Sequence, residues 1–188
     1  MKRVIVVHCW GGSPGTHWYS SLKAELEKRG FRVELLEMPD TNYPAIEKWV
    51  PYLAKAVGTL DKDTILVGHS VGGQTIMRYL ETAKGQAGGV IFVGGWFTLT
   101  NVETPTEKKV AHPWVTTPID FAKVKNAARK IIAFFSDNDT YVPLENVQLF
   151  RKNLGAETIV EKNKGHFTED DGITEVPEVL EAVLKLSR

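Results

Sequence analysis

A serine occupies the centre of the run Gly68-His69-Ser70-Val71-Gly72. The run fits the pattern G-x-S-x-G, which is typical of a serine on a tight turn between a strand and a helix, with its hydroxyl projected clear of the backbone. An apolar, strand-like segment precedes the run and a helix-like segment follows it, so the context matches the pattern. We therefore predict that Ser70 is a nucleophile. The alternative is an ordinary glycine-rich turn that carries no chemistry.

A serine hydroxyl is a weak nucleophile at neutral pH and needs a general base. The chain has five histidines. His166 follows the last predicted strand and precedes the last predicted helix, which places it at the carboxyl edge of a parallel sheet, where the sites of such folds lie. We predict that His166 is the base that accepts the proton of Ser70.

An orienting carboxylate is the third group that such a serine and histidine require. Asp137 and Asp139 both follow the fifth predicted strand. We choose Asp139, because the stretch from Asp139 to Pro143 ends in a proline suited to begin the next helix, whereas Asp137 is expected to cap the turn. The chain order Ser70, Asp139, His166 is that of the α/β-hydrolases.

Two backbone N–H groups are expected to stabilise the negative charge of a tetrahedral intermediate. Val71 supplies one of them, as the residue after the nucleophile. The glycine-rich loop after the first predicted strand is the natural source of the other, and we assign it to Trp10. The rival interpretation of this loop is a phosphate cradle, but the loop matches neither G-x-G-x-x-G nor G-x-x-x-x-G-K-[ST].

Alternating strands and helices must position these residues. Several predicted strands are apolar without alternation, as expected for a parallel sheet covered by helices on both faces. The alternation predicts a doubly wound α/β domain with about six mostly parallel strands. The chain order of Ser70, Asp139 and His166 makes a compact α/β-hydrolase fold the expected form of this domain. The predicted strands are residues 3–8, 32–38, 64–67, 89–93, 130–135 and 158–162. The predicted helices are residues 17–29, 45–57, 71–84, 144–154 and 176–186.

The connection between the fourth and fifth predicted strands is irregular and contains Pro105, Pro113 and Pro118. These prolines favour an excursion over the sheet with one short helix near Phe121, so no large cap domain is expected. Large aromatic side chains are expected to wall a small site beside the serine. They are Trp10, Trp96, Phe97 and Trp114.

Length and composition exclude several classes of protein. The 188 residues are expected to form a single domain over residues 1–188. The 23 basic and 23 acidic residues leave no net charge to attract nucleic acid or a membrane surface. Cys9 is the only cysteine, so neither an intramolecular disulfide nor a multi-cysteine zinc site can form. We expect a cytoplasmic protein without a cofactor or a bound metal, whose partner is a small-molecule acyl substrate.

Beyond these single motifs, the chain resembles the small α/β-hydrolase family of the retinoblastoma-binding serine hydrolase and the YdeN-like proteins. The resemblance is carried by runs spread over nearly the whole chain: Thr16-His17-Trp18, Met38-Pro39, Gly68 to Gly72, Ser136 to Asp139 and Gly165 to Gly172. It implies a serine hydrolase of esterase type that uses the three residues described above. Cys9 departs from the glycine that many α/β-hydrolases have at this point, and the Leu-x-Cys-x-Glu motif linked to partner binding is absent.

Together these observations predict a carboxylesterase that acts on small acyl esters through Ser70, Asp139 and His166 and forms an acyl-enzyme. Cys9 is expected to be a bystander, since a lone buried thiol usually behaves as a small apolar residue. The alternative function is a non-catalytic protein- or ligand-binding module on a hydrolase scaffold, because a fold by itself does not determine a function.

Overall fold

Six strands form one parallel sheet at the centre of the molecule. The computed structural model describes all residues from Met1 to Arg188. The strands are β1 (Arg3–Val7), β2 (Arg32–Leu36), β3 (Thr64–His69), β4 (Gly89–Val93), β5 (Ile131–Ser136) and β6 (Glu157–Glu161). Their order across the sheet is β2-β1-β3-β4-β5-β6, and every neighbouring pair is parallel. The order reverses between β1 and β3, and ligands of open α/β sheets bind at the carboxyl ends of strands at such a reversal.

Helices cover both faces of this sheet. They are α1 (Tyr19–Glu27), α2 (Ile46–Val57), α3 (Val71–Leu80), α4 (Pro105–Thr116), α5 (Phe121–Asn126), α6 (Glu145–Leu154) and α7 (Pro177–Leu186). In β1, Ile5 and Val7 join the core cluster that includes α2, α3 and α6, while Val4 and Val6 join the cluster that includes α1 and α7. Because both faces are buried, the strands are apolar without alternation, as predicted. A helix with the length and apolar character needed for a bilayer crossing is absent.

The connection between β4 and β5 contains two helices, whereas the sequence predicts one short helix near Phe121. The helix α5 is the predicted one, and α4 is an addition. Pro105 lies in the first turn of α4, where a proline loses no hydrogen bond, and Thr104 and Glu107 form a reciprocal capping box. Pro113 is accommodated inside the helix. The expectation that prolines keep this segment irregular is therefore wrong, because one of them begins a helix.

Strand β3 runs two residues further than the sequence predicts. Gly68 pairs with Phe92 of β4, and His69 pairs with Val93. The strand therefore leads directly into Ser70, and α3 begins at the next residue. The predicted serine stands at the carboxyl edge of the sheet, between the last residue of a strand and the first residue of a helix.

Candidate active site

Ser70 lies on a strained turn between β3 and α3. Its φ of 53° and ψ of −119° are a conformation that residues with a side chain rarely adopt. Ser70 N–H donates to Val93 O at 2.9 Å, and Gly73 N–H donates to Ser70 O at 2.9 Å, so backbone hydrogen bonds fasten both sides of the turn. A Cβ at Gly72 would collide with the backbone of Val7. Glycine at this position therefore lets α3 start directly against the end of β1.

His166 and Asp139 are joined by a hydrogen bond of 2.8 Å between Nδ1 and Oδ2. The other oxygen of Asp139, Oδ1, accepts the backbone N–H groups of Tyr141 at 2.8 Å and Val142 at 3.0 Å. The Asp139 side chain is 1% exposed, so water does not compete for these bonds. Because a carboxylate only accepts hydrogen bonds, Nδ1 of His166 carries the hydrogen and Nε2 presents a lone pair. This pair has the geometry of a base with its orienting carboxylate.

Asp137, the competing carboxylate, has a different partner. Its Oδ1 accepts the backbone N–H of Asn163 at 2.8 Å, which ties the end of β5 to the loop after β6. The expectation that Asp137 caps its own turn is not met by this contact, since the donor is 26 residues away along the chain. Of the two carboxylates, only Asp139 bonds to the imidazole of His166.

No hydrogen bond joins Ser70 to His166. His69, next to Ser70, has its ring centre 5.3 Å from that of His166. Ser70 Oγ instead accepts the indole N–H of Trp96 at 3.3 Å. In active sites without substrate, catalytic hydrogen bonds are often long and tighten only in the complex. The three predicted residues therefore form a bonded Asp139–His166 pair and a serine whose hydroxyl contacts Trp96.

In the loop after β1, the backbone N–H of Trp10 has no acceptor. The N–H groups around it are all used: Cys9 N–H donates to the hydroxyl of Tyr19 at 3.1 Å, and Gly11 N–H donates to Thr41 O at 3.0 Å. Val71 is the first residue of α3, a position at which the N–H has no acceptor within the helix. The two N–H groups that the sequence predicts as an oxyanion hole are thus free of competing partners in the loop and in the helix.

Hydrogen bonds hold both the backbone N–H and the backbone carbonyl group of His166. Its N–H donates to Asp171 Oδ2 at 2.8 Å, and the same oxygen accepts the N–H of Thr168 at 3.1 Å and its hydroxyl at 2.6 Å. The carbonyl oxygen of His166 contacts Nε2 of His69 at 2.7 Å. Sequence reasoning did not assign a role to Asp171 or His69, although both lie inside motifs that it singled out.

His69 belongs to a buried chain of hydrogen bonds whose donors and acceptors are determined. Nε2 faces a carbonyl and must donate to it, so Nδ1 accepts the hydroxyl of Tyr19 at 2.6 Å. The Tyr19 oxygen in turn accepts the N–H of Cys9. Burial lowers the pKa of His69 well below its ordinary value and raises that of Tyr19 well above, so both groups are neutral. The chain connects the loop after β1, the serine turn and the His166 turn.

Cys9 has a histidine neighbour that does not act on it as a base. Its Sγ lies 3.3 Å from Nε2 of His17. Nδ1 of His17 accepts the N–H of Glu169 at 3.1 Å, so the hydrogen of the neutral ring is on Nε2 and points at the sulfur. Burial raises the pKa of the Cys9 thiol, which keeps it protonated. These contacts agree with the expectation that Cys9 is a bystander.

The four predicted wall residues have different surroundings. Trp96 is 3% exposed and contacts the hydroxyl of Ser70. Trp10 donates its indole N–H to Asn42 O at 3.0 Å. Trp114 is buried elsewhere in the core and donates to Pro44 O, and the ring of Phe97 packs against those of Phe121 and Phe150. Of the four, only Trp96 forms a hydrogen bond with the side chain of a predicted catalytic residue.

No group of three or more His, Cys, Asp or Glu side chains is close enough together to hold a metal ion. A groove of about 450 Å³ lies between the loops that follow β1 and β2, and His8 and Glu37 line it. Neither Ser70 nor His166 reaches this groove. The chemistry available at the site is therefore that of a serine, a base, a carboxylate and backbone N–H donors.

Comparison with known proteins assigns the chain to a family. The profile of the serine hydrolase family matches residues 4–185. The chain belongs to the serine hydrolase family. The protein YdeN of Bacillus subtilis (strain 168) is 29% identical to this serine hydrolase over 184 residues, which cover 97% of this chain and 94% of YdeN. Serine hydrolase RBBP9 of Rattus norvegicus is 30% identical over 168 residues, with 88% and 87% covered.

Solved structures agree with this assignment. The crystal structure of the ydeN gene product of Bacillus subtilis superposes on this serine hydrolase with a TM-score of 0.90 at 28% identity, over 99% of this chain and 98% of the other. A carboxylesterase structure from Nitrososphaera gargenis has a TM-score of 0.74 at 14% identity, over 99% and 90%, a likeness of fold. The family resemblance and the α/β-hydrolase fold without a large cap, both predicted from the sequence, are confirmed.

Proposed function

We propose that this serine hydrolase is a carboxylesterase that cleaves small acyl esters through an acyl-enzyme on Ser70. The observation that carries the proposal is the buried 2.8 Å bond between Asp139 and His166 at the same sheet edge as the strained serine turn. A carboxylate in this position holds the imidazole in the tautomer that accepts a proton and stabilises the imidazolium that follows.

The reaction begins when Ser70 Oγ attacks the carbonyl carbon of the ester and its proton passes to Nε2 of His166. The carbonyl electron pair moves onto the oxygen, which the N–H groups of Val71 and Trp10 stabilise. Collapse of this intermediate breaks the bond to the alcohol oxygen, which takes the proton from His166 and leaves. Water then attacks the acyl-enzyme by the same sequence and releases the acid.

Replacement of the nucleophile tests the proposal. Ser70→Ala should lower the hydrolysis of p-nitrophenyl acetate by at least ~10³-fold, because no other group can form the acyl-enzyme. Ser20→Ala is the matched control, since Ser20 is exposed on α1 and its hydroxyl only contacts Pro14 O. A fluorophosphonate probe should label the wild type on the peptide that contains Ser70. Wild-type activity in Ser70→Ala, or absence of labelling, would contradict the proposal and favour a binding module.

The size of the acyl group is the finer part of the proposal. The connection over the site contributes two helices and no cap domain, and the buried ring of Trp96 takes up space beside Ser70 Oγ. Each added methylene contributes about 0.8 kcal/mol only when it is buried. We expect kcat/KM for p-nitrophenyl esters to be greatest at about two to four acyl carbons and to fall toward decanoate and palmitate. A preference for the long esters would mean that this connection forms a deep acyl tunnel.

A further inference from the structure

The indole N–H of Trp96 has one acceptor, the hydroxyl oxygen of Ser70 at 3.3 Å. The contact is buried, and Trp96 is 3% exposed. A single N–H can only donate, so the indole occupies a lone pair of Oγ and leaves the hydroxyl hydrogen of Ser70 free for another partner. The base predicted to take that hydrogen is His166.

Two further contacts fix the position of the indole. The carbonyl oxygen of Trp96 accepts the side-chain amide N–H of Gln74 at 2.6 Å, and Gln74 lies one helical turn after Ser70 on α3. Gly94, two residues before Trp96, has a φ of +53°, and a Cβ there would lie 3.2 Å from Cε1 of His166. The segment after β4 thus passes close to the imidazole of His166 and is hydrogen-bonded to α3, the helix that begins directly after the nucleophile.

We propose that Trp96 is a catalytic residue whose indole N–H stabilises negative charge on Ser70 Oγ during both chemical steps. The inference rests on the proposed function, because it needs Ser70 as the nucleophile. As Oγ bonds to the carbonyl carbon, its proton passes to Nε2 of His166 and the carbonyl electron pair moves to the carbonyl oxygen. Oγ carries more negative charge in this transition state than in the hydroxyl or in the ester, so the hydrogen bond from Trp96 is strongest there.

The same argument applies when the acyl-enzyme is hydrolysed. Collapse of the second intermediate expels Oγ, which regains its proton from His166 and again carries partial negative charge. A donor to Oγ therefore accelerates acylation and deacylation together. A residue that only lines the acyl-binding site would act differently. The effect of its replacement would depend on how much of the acyl chain it contacts, and would change mainly KM.

Trp96→Phe removes the donor, and replacement of Trp96 by benzothienylalanine removes it while keeping the shape of the indole. With p-nitrophenyl esters, the burst reports acylation and the steady state reports deacylation. Both rates should fall by about the same factor, about 3- to 10-fold, as expected for one neutral hydrogen bond. The factor should be equal for acetate and butyrate, with KM little changed. Trp49→Phe is the control, since Trp49 is equally buried and donates to Pro39 O away from Ser70.

Three results would overturn the inference. They are unchanged rates in the benzothienylalanine variant, a loss that grows with acyl length, and a loss confined to KM. These results are distinguishable from failure of the proposed function, in which the wild type itself forms no adduct at Ser70 with a fluorophosphonate probe. A wild type that is labelled at Ser70, together with an unaffected variant, would leave the esterase proposal intact and remove Trp96 from its mechanism.

Discussion

Asp137 and Asp139 stand two residues apart on one turn and have unrelated partners. Asp139 bonds to the imidazole of His166, while Asp137 accepts the N–H of Asn163. Both contacts join the end of β5 to the segment after β6, but only the first reaches the imidazole that we propose as the base. At the scale of single residues, the role of each carboxylate therefore depends on which atom it meets across the loop.

The corresponding pair of variants separates these roles. Asp139→Asn should lower turnover by on the order of 10⁴, because an amide at this position favours the wrong tautomer of the imidazole. Asp137→Asn keeps an acceptor for the Asn163 N–H and should be only mildly impaired. The measurement is kcat for p-nitrophenyl acetate on both variants after their folding is checked by circular dichroism. The reverse ranking would show that Asp137 is the orienting carboxylate.

At the scale of elements, the turn after β6 depends on one exposed carboxylate. Asp171 accepts three hydrogen bonds, of which one comes from His166 N–H and two come from Thr168. On the other side, His69 fastens the carbonyl oxygen of the same residue. Hydrogen bonds therefore fix both the backbone N–H and the backbone carbonyl group of His166. This limits how far Nε2 of its imidazole can move from Ser70.

Removal of the Asp171 carboxylate should lower the reaction rate more than it lowers the stability of the fold. Asp171→Ala is expected to lower kcat by on the order of 10-fold, because a small displacement of a catalytic group is costly in rate. Asp170→Ala is the matched control, since Asp170 is the exposed neighbour of Asp171 and forms no hydrogen bond. Equal kcat values for the two variants, at equal thermal stability, would show that the turn keeps its shape without the carboxylate.

At the scale of the whole molecule, three buried or half-buried histidines link folding to pH. Burial lowers the pKa of His8, His17 and His69, most strongly for His69. Tyr19 and His166 face His69 and supply no carboxylate to stabilise its charged form. Below pH about 6.5 the unfolded chain binds protons at these positions that the folded protein does not bind, so the free energy of unfolding decreases as the pH falls.

Thermal unfolding measured at several pH values tests whether stability decreases as the pH falls. The Tm should change little between pH 8 and pH 7 and decrease progressively below pH about 6.5, before most carboxylates titrate. His69→Gln lacks the group with the strongest shift and should show a shallower decrease over the same interval. An identical slope in the wild type and in His69→Gln would show that His69 does not contribute to the acid sensitivity.

Local signals in the sequence predicted much of the fold. Apolar strands without alternation indicated a parallel sheet between helices, because burial on both faces leaves no polar side to the strand. The run around Ser70 indicated the strand–turn–helix junction, because the steric demand of that turn is met by nearby glycines. The helix α4 was not predicted, because a proline disrupts the interior of a helix but is favoured in the first turn, where Pro105 lies.

The amino-acid sequence by itself therefore determined the six strands and every helix except α4, the family and the candidates for nucleophile and base. Only the tertiary structure decided which carboxylate meets His166, that Trp96 contacts Ser70 Oγ, and that His69 fastens the His166 carbonyl. The physical reason is the separation of the partners along the chain, which is 27, 26 and 97 residues for these three contacts. Residue spacing governs turns and faces within an element, whereas such contacts depend on how loops from different strands converge at one edge of the sheet.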